Sequence, residues 1–351
     1  ASPSLGRRNL IINGAMQVAQ RGTSATGVTG NVYHLDRWQN QETGSAVFSI
    51  SQENSDGPDG FKYFQRVTVT TADATTDSAD KTVIKQVIET GNLYHLDWGT
   101  SNAKSITISF WVRSSSTGTF SVALYHQAGT SYSYVDTYTI NTADTWEYKT
   151  ITISGNTNIA FTDDATSAGL QIRFALSCGS GVRTSTGSWG LGNYFGGTGQ
   201  TQLTETVNST FDLTGVQLEV GSVSTPFEHR SYGEELALCQ RYCQVATYNA
   251  GFIGAGLNYN TTSAVVYIPL IQPMRTAPTI DFPTSGQSNG NITFIKSSGN
   301  WPDAYGSNNI GSITNTGYIV STSNYAGFTA ESPSWLYAVG NGTEVTADAE
   351  L

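Results

Sequence analysis

The sequence predicts an all-β protein: a jelly-roll β-sandwich over residues 1–230, a short linker helix over 231–247, and a second, smaller β domain over 248–351. Three observations carry that prediction. Apolar and polar residues alternate with period two along many short segments. Clusters of Gly, Asn, Asp and Ser separate those segments. No helical periodicity intervenes before residue 231, which argues against strand–helix–strand units.

Taken in order, Leu10-Ile11-Ile12 reads as a short apolar strand suited to burial between sheets or subunits. Further strands are expected at 46–51, 62–70 and 83–88. Ile106, Ile108, Phe110 and Val112 then share one face, while Thr107, Ser109, Trp111 and Arg113 share the other. Phe120, Val122 and Leu124 repeat the alternation, as do Ile172, Phe174 and Leu176; segments 146–153 and 211–220 complete the first domain. Trp38, Trp111 and Trp146 fall within strand patterns and are assigned to core or interface. Pro226 disfavours continuing the last strand. Ser231-Tyr232-Gly233-Glu234 is a capping box, and Leu236, Cys239 and Cys243 recur at helical spacing. Strand patterns resume at 264–270, 292–296, 318–322 and 335–339, separated by Gly- and Asn-rich stretches at 286–290 and 306–317. Long loops on a β scaffold are frequent recognition surfaces.

Composition narrows the function. The 351 residues are 38% apolar, enough for two cores, yet only 13% charged. Net charge is −10 and no basic run follows Arg7-Arg8, so neither nucleic acid nor an anionic membrane is an expected partner. No apolar run reaches the length of a membrane span. Ala1-Ser2-Pro3-Ser4 is unlike a signal peptide and lacks an initiator Met, which suggests a processed form or the distal part of a longer protein. Cys178, Cys239 and Cys243 read as reduced, buried thiols, in keeping with folding in a bacterial cytoplasm.

Several long landmarks carry a resemblance. The stretch from Arg8 to Thr23, RNLIINGAMQVAQRGT, resembles the opening of a domain found in many bacteriophage tail-fibre and virion-surface proteins. Leu35-Asp36-Arg37-Trp38 is similar to that domain's next landmark. FDLTGVQLEVG from Phe211 to Gly221, and TPFEHRSYGEELALCQRY from Thr225 to Tyr242, resemble its close. The final Thr346-Ala347-Asp348-Ala349-Glu350-Leu351 resembles the end of such fibres. The intervening region, including Ser105–Val112, is similar to carbohydrate-binding jelly-roll modules. The resemblance implies a virion-surface location, homotrimeric assembly, other virion proteins as partners, and attachment to host-surface polysaccharide. Capsid decoration as a head-fibre protein is the alternative it leaves open, and a glycan-depolymerising tailspike the second; the latter usually needs a β-helix repeat that this sequence lacks.

Catalytic patterns are weak. There is no Gly-x-Ser-x-Gly elbow, and His126 and His229 have no evident nucleophile beside them; the chain reads as non-enzymatic. No cofactor is expected. His34-Leu35-Asp36 and His95-Leu96-Asp97 place paired metal-ligand types on a strand face, but the spacing is unspecific. Loop acids Asp56, Asp59, Asp163 and Asp164 are the candidates for a structural calcium, which jelly-roll modules often carry, without EF-hand spacing. Aromatic residues carry the binding expectation, because sugars present flat C–H faces that rings cover while neighbouring polar groups bind hydroxyls. Trp301, Asp303 and Tyr305 cluster in a Gly/Asn/Ser context with Tyr325 and Trp335 following, and Trp189 and Tyr194 occupy a Gly-rich loop of the first domain. These seven are the expected glycan contacts, concentrated in the C-terminal domain.

Overall fold

The computed structural model describes residues 7–283, 286, 291–296, 302 and 306–351. The chain divides into two compact units, one ending at Glu235 and also taking in Leu351, the other running Leu236–Glu350. Nearly all regular structure is β. Among the described residues no helix is long and apolar enough to cross a membrane.

The first unit is a sandwich of two sheets. Across the first sheet the strands run Ser24–Val28, Val47–Glu53, Phe64–Thr71, Thr210–Val220, Ile106–Ser114 and Glu147–Ile153. Across the second they run Ser188–Leu191, Tyr132–Ile140, Gly118–His126, Ala168–Cys178, Lys81–Glu89, Gln39–Glu42 and Asn31–Tyr33. In chain order the long strands step between sheets, from Phe64–Thr71 to Lys81–Glu89 to Ile106–Ser114 to Gly118–His126, the crossing pattern of a jelly roll. The alternation seen in sequence fills the space between the sheets: Ile106, Ile108, Phe110 and Val112 meet Phe120, Val122, Leu124, Ile172 and Phe174, all buried. Phe110 packs edge-on against Phe174 and Tyr138, at 5.0 Å for each pair of ring centres.

Leu10-Ile11-Ile12 is not a ladder strand, contrary to its sequence pattern. Side chains hold it instead. Asn9 Oδ1 accepts from the amides of Ile11 and Leu218, both at 3.0 Å, and Asn9 Nδ2 donates to Val216 O at 3.1 Å. Asn13 bonds both backbone groups of Val18, and its carbonyl accepts from Trp38 Nε1 at 2.9 Å. The Asn and Trp positions of the opening landmarks are therefore one buried knot.

The helix spans Tyr232–Gln240, shorter than its pattern suggested, and Cys243 opens the strand Cys243–Tyr248. Ser231 caps it as expected, its Oγ accepting from Glu234 N at 3.3 Å. Gln244 Nε2 donates to the Gln240 carbonyl at 3.0 Å and closes the helix end, while Thr343–Asp348 pairs with residues 243–248 and draws them into a sheet. No disulfide joins Cys178, Cys239 and Cys243, which are all buried.

The second unit has a six-stranded sheet, ordered Asn291–Ile295, Ser332–Val339, Gly251–Asn258, Ala264–Pro269, Gly317–Ser323 and Ser307–Gly311, and a three-stranded sheet built on Thr343–Asp348. Its two edge strands approach each other where Asn308 Nδ2 donates to Ile292 O at 2.7 Å, so the six-stranded sheet curls on itself. Phe294, Tyr318, Val320, Tyr325 and Leu336 fill its core.

One polar cluster ties the centre of the first sheet together. Asp212, 1% exposed, accepts from Arg66 Nε and Nη2 at 2.8 and 2.7 Å and from Arg113 Nε at 2.8 Å. The three residues sit side by side on adjacent strands. Hydrogen bonding to Asp212 raises the Arg66 pKa above its ordinary value. Removing the shared carboxylate leaves the buried Arg113 without its main partner, so Asp212→Ala is expected to lose about 3–5 kcal/mol in urea-induced unfolding; an unchanged unfolding midpoint would show that the cluster does not hold the sheet.

Candidate functional site

The outer face of the first sheet carries a wide concavity. It encloses about 420 Å³ and is lined by Asp59, Phe61, Ser109, Trp111, Tyr148, Gly215, Pro226, Phe227 and His229, within the roughly 300–1,000 Å³ usual for small-molecule sites. Trp111 and Tyr148 stand opposite each other on paired strands, their rings 5.3 Å apart and inclined by 49°. Tyr148 is 44% exposed. A second group faces them. Phe61 meets Phe227 edge-on at 4.9 Å, and His229 lies 5.3 Å from Phe61 and 4.9 Å from Phe227. Ser109 lies on the same strand face as Trp111, two residues away, and Asp59 stands exposed at the rim.

Local structure dictates this arrangement. Thr214 pairs with Trp111, but Gln217 pairs with Ser109, so Gly215 and Val216 together oppose the single residue Phe110. That is a β-bulge, which bends a strand and re-aims its side chains. Gly215 has φ +61°, and a Cβ there would come within 2.8 Å of Phe61 Cζ and 3.0 Å of Trp111 Cδ1. Thr214 Oγ1 donates to Tyr63 O at 2.7 Å and anchors the loop that carries Phe61. Beyond the bulge, Gln217 and Glu219 fix the covering segment. Thr225 donates its amide and hydroxyl to Glu219 at 2.8 and 2.6 Å, and Glu228 N donates to Gln217 Oε1 at 2.8 Å. Glu228 in turn accepts the amides of Arg8 and Asn9. Phe227 and His229 are thus held above the sheet by the polar residues of the Gln217–Glu219 stretch.

The wall beside the groove is also built from rings. The Arg113 guanidinium lies over Trp146 at 4.7 Å and over Phe64 at 5.2 Å, and pairs with Asp56 at 2.6 Å. Trp146 Nε1 donates to Asp56 O at 2.8 Å. Asp56 is therefore engaged in an ion pair rather than available as a loop ligand.

Of the seven residues expected from sequence, the four described ones are not brought together. Trp301, Asp303 and Tyr305 lie outside the described residues. Tyr325 is 1% exposed in the second core, stacked on Phe328 at 5.6 Å, with its hydroxyl bonded to Thr293 and Asn308; this placement corrects the expectation, since no face of the ring is open to a sugar. Trp335 is half-buried on the outer face of the six-stranded sheet, beside the 66% exposed Phe252 at 6.0 Å. Trp189 is half-buried, donates Nε1 to Ser154 O at 2.9 Å and packs edge-on against Trp98 and Tyr134. Tyr194 is half-buried, and its carbonyl accepts from Arg173.

The groove itself escaped sequence reasoning. In sequence Trp111 reads as core or interface, Asp59 as a calcium-loop acid, and His229 as a histidine without a nucleophile beside it. Of the three tryptophans expected in strands, only Trp111 lies in one; Trp38 precedes a strand and is wholly buried in the core, while Trp111 and Trp146, just before Glu147–Ile153, face outward. The signal was present: a ring sharing its strand face with Thr107, Ser109 and Arg113 points away from the apolar side. Gly215 inside a strand pattern is likewise a bulge signal.

The metal candidates do not assemble. Asp36 accepts from the amide and side chain of Gln20, Asp97 pairs with Lys104 at 2.8 Å, and Asp164 bonds Thr166 and Ser167. Among the described residues no group of three or more His, Cys, Asp or Glu side chains is placed to hold a metal ion.

No family model and no curated protein matches the sequence. Solved structures are similar over about three fifths of the chain. A tailspike protein 4 enzymatically active domain of bacteriophage CBA120 is 14% identical, with a TM-score of 0.33 over 58% of this chain and 22% of that one. A putative sugar-binding protein from Bacteroides thetaiotaomicron is 13% identical, with a TM-score of 0.35 over 61% of this chain and 100% of its own. A carbohydrate-binding module, TmCBM61, in complex with β-1,4-galactotriose is 10% identical, with a TM-score of 0.29 over 61% of this chain and 100% of its own.

The bulge generates a direct test. Gly215→Ala forces an alanine into the left-handed region and against two rings. The variant is expected to fold but to lose about 1–2 kcal/mol in urea unfolding, with altered near-ultraviolet dichroism as Phe61 and Trp111 shift. Wild-type stability and an unchanged aromatic spectrum would contradict the requirement for glycine.

Proposed function

We propose that this chain is a non-enzymatic glycan-binding protein of a bacteriophage particle, a tail-fibre or receptor-binding component that grips host-surface polysaccharide through the ring-lined groove of its sandwich. One observation carries the reading: Trp111 and Tyr148 face Phe61 and Phe227 across a cleft rimmed by Asp59 and His229, with Ser109 in its lining. Such walls accept the apolar faces of a sugar, and the polar rim bonds its hydroxyls. The groove is open along the sheet surface, which suits an internal stretch of polymer.

The lining also speaks to chemistry. Glycoside hydrolysis uses a pair of carboxyl groups at a set separation. Among the described residues Asp59 is the one carboxylate lining the groove, which favours binding over cleavage. The phage assignment rests on the sequence landmarks, and homotrimeric assembly with it. The outward strip of Phe252, Leu257, Trp335 and Tyr337 on the second unit supports contact between copies, since exposed apolar patches commonly mark interfaces. Three grooves on one particle fibre would act together, so weak individual sites suffice for firm attachment. Capsid decoration uses the same groove and differs in the virion protein to which the chain attaches.

The test compares wild type, Trp111→Ala and Trp301→Ala for binding to polysaccharide extracted from the host surface. Trp111→Ala should lose about 1–3 kcal/mol per site, by analogy with stacking on other planar ligands, while keeping its unfolding midpoint because the ring lies outside the core. Full binding by Trp111→Ala together with loss in Trp301→Ala would move recognition to the second unit and overturn the groove assignment.

A further inference from the structure

The outer face of the second sheet, on the opposite side of the sandwich from the groove, holds a different kind of site. Arg173 is 3% exposed there. Its guanidinium lies between the rings of Phe195 and Tyr125, at 4.0 and 4.1 Å from their centres. Nε and Nη2 donate to Gln171 Oε1 at 3.2 and 2.8 Å, and Nη1 donates to Asn193 Oδ1 and Tyr194 O at 2.7 and 3.2 Å. Every one of these acceptors is neutral. Lys85 is the direct cross-strand neighbour of Arg173. Lys81 shares the strand face of Lys85, and its Nζ sits 5.2 Å from the Phe195 ring centre.

Among the described residues none of the three cations is paired with a carboxylate, in contrast to the ion pairs that other basic side chains of the same unit make. Arg66 and Arg113 share Asp212; Arg230 sits between Glu228 and Glu235; Lys104 pairs with Asp97 and Lys149 with Glu147. The chain has 27 acidic residues against 17 basic ones, so acids were available. Taking a cation out of water without a counter-ion costs several kcal/mol, and stacking on two rings offsets only part of it. The charge is concentrated as well as uncompensated: burial, with Arg173 and Lys81 adding to it, holds the Lys85 ammonium down to about 8. An arrangement of this kind is completed by an anion from outside. In a molecule of net charge −10, an acidic polymer can dock only where the local field is reversed.

We propose that Lys85 and Lys81, backed by the buried Arg173, form an anion site on the outer face of the second sheet, and that its ligand is the carboxylate of a uronic-acid residue in an acidic polysaccharide. Half-buried Lys85 supplies the direct ion pair, Lys81 adds to the local potential, and Arg173 supplies the fixed field beneath. The neighbouring carboxamide of Gln39, cross-strand from Lys85 on the other side, is placed to bond the hydroxyls of the sugar that bears the acid. The site is separate from the aromatic groove, so the two can be tested apart.

Calorimetric titrations of trigalacturonate, neutral galactotriose and inorganic sulfate into the whole protein at low salt discriminate the outcomes. Trigalacturonate should bind wild type and Trp111→Ala alike. Its affinity should fall by about tenfold or more in Lys85→Gln, the scale of one charged hydrogen bond, and be largely restored in Lys85→Arg. Lys85→Gln should leave galactotriose binding unchanged. With lysines ¹³C-dimethylated, the Lys85 resonance should titrate at higher pH once trigalacturonate is bound, because an anion favours the charged form. Loss of trigalacturonate binding in Trp111→Ala but not in Lys85→Gln would place the acid in the groove and overturn the proposal. Sulfate binding as tight as trigalacturonate would mean an adventitious ion only. Absence of binding by trigalacturonate would overturn it outright.

Discussion

The candidate groove depends on one irregularity, the bulge at Gly215–Val216. Without it the Thr210–Val220 strand would run in register along Ile106–Ser114, and a side chain would occupy the space where Phe61 and Trp111 now meet. The bulge also frees its backbone for other work. Val216 N donates to Gly14 O at 3.0 Å, and Val216 O accepts from Asn9 Nδ2 at 3.1 Å. A Cβ on Gly14 would collide with that same Val216 carbonyl. One single-residue insertion therefore fixes the chain's opening segment on one side and the floor of the groove on the other. Bulges recur beside functional sites for this reason: they redirect a side chain at small energetic cost while the surrounding ladder stays intact.

From the bulge outward, polar side chains do the positioning. Gln217 and Glu219 are buried on the outer face, an unusual place for them in a bare sheet, because the segment from Thr225 to Glu228 is laid over them. Arg230, with its guanidinium donating to the carbonyls of Asn9 and Ile11 and paired with Glu228 and Glu235, closes the same region. The landmarks at 8–23 and 211–221 and the 225–235 part of the third are thus joined in one structure. Their residues spend their hydrogen bonds on each other, leaving the rings of Phe227, Phe61 and Trp111 to face outward. The opposite sheet shows the contrasting use of polar groups, where neutral acceptors orient a buried guanidinium and leave its charge unmatched.

Much of this was legible beforehand. Period-two alternation located most long strands of the first unit to within a few residues, because both sheets bury one face and solvate the other, but it did not single out Tyr132–Ile140. The helix start at Ser231 was visible as a cap. Short strands such as Asn31–Tyr33 and Gln39–Glu42 were missed, since three or four residues carry little periodicity and the second is wholly polar. Gly251–Asn258 was missed because its glycines read as loop. Gly256 is needed there, as a Cβ would meet the Val265 carbonyl of the neighbouring strand. The groove stayed hidden for a different reason. Its rings come from four stretches far apart in sequence, around Phe61, Trp111, Tyr148 and Phe227, and each alone resembles an ordinary strand or turn residue. Sequence reasoning instead favoured aromatic clusters that are local, such as the one around Trp301, because proximity along the chain is the one kind of proximity a sequence displays.

The central claim is that the first sheet's outer face is where sugar is bound, and the indole N–H signals of the seven tryptophans report on it directly. In a ¹⁵N-labelled sample titrated with host-surface oligosaccharide, the Trp111 indole should shift first and furthest, with Trp146 beside it moving less and Trp38 in the core not at all. A titration that leaves Trp111 in place while Trp189, Trp301 or Trp335 moves would contradict the account.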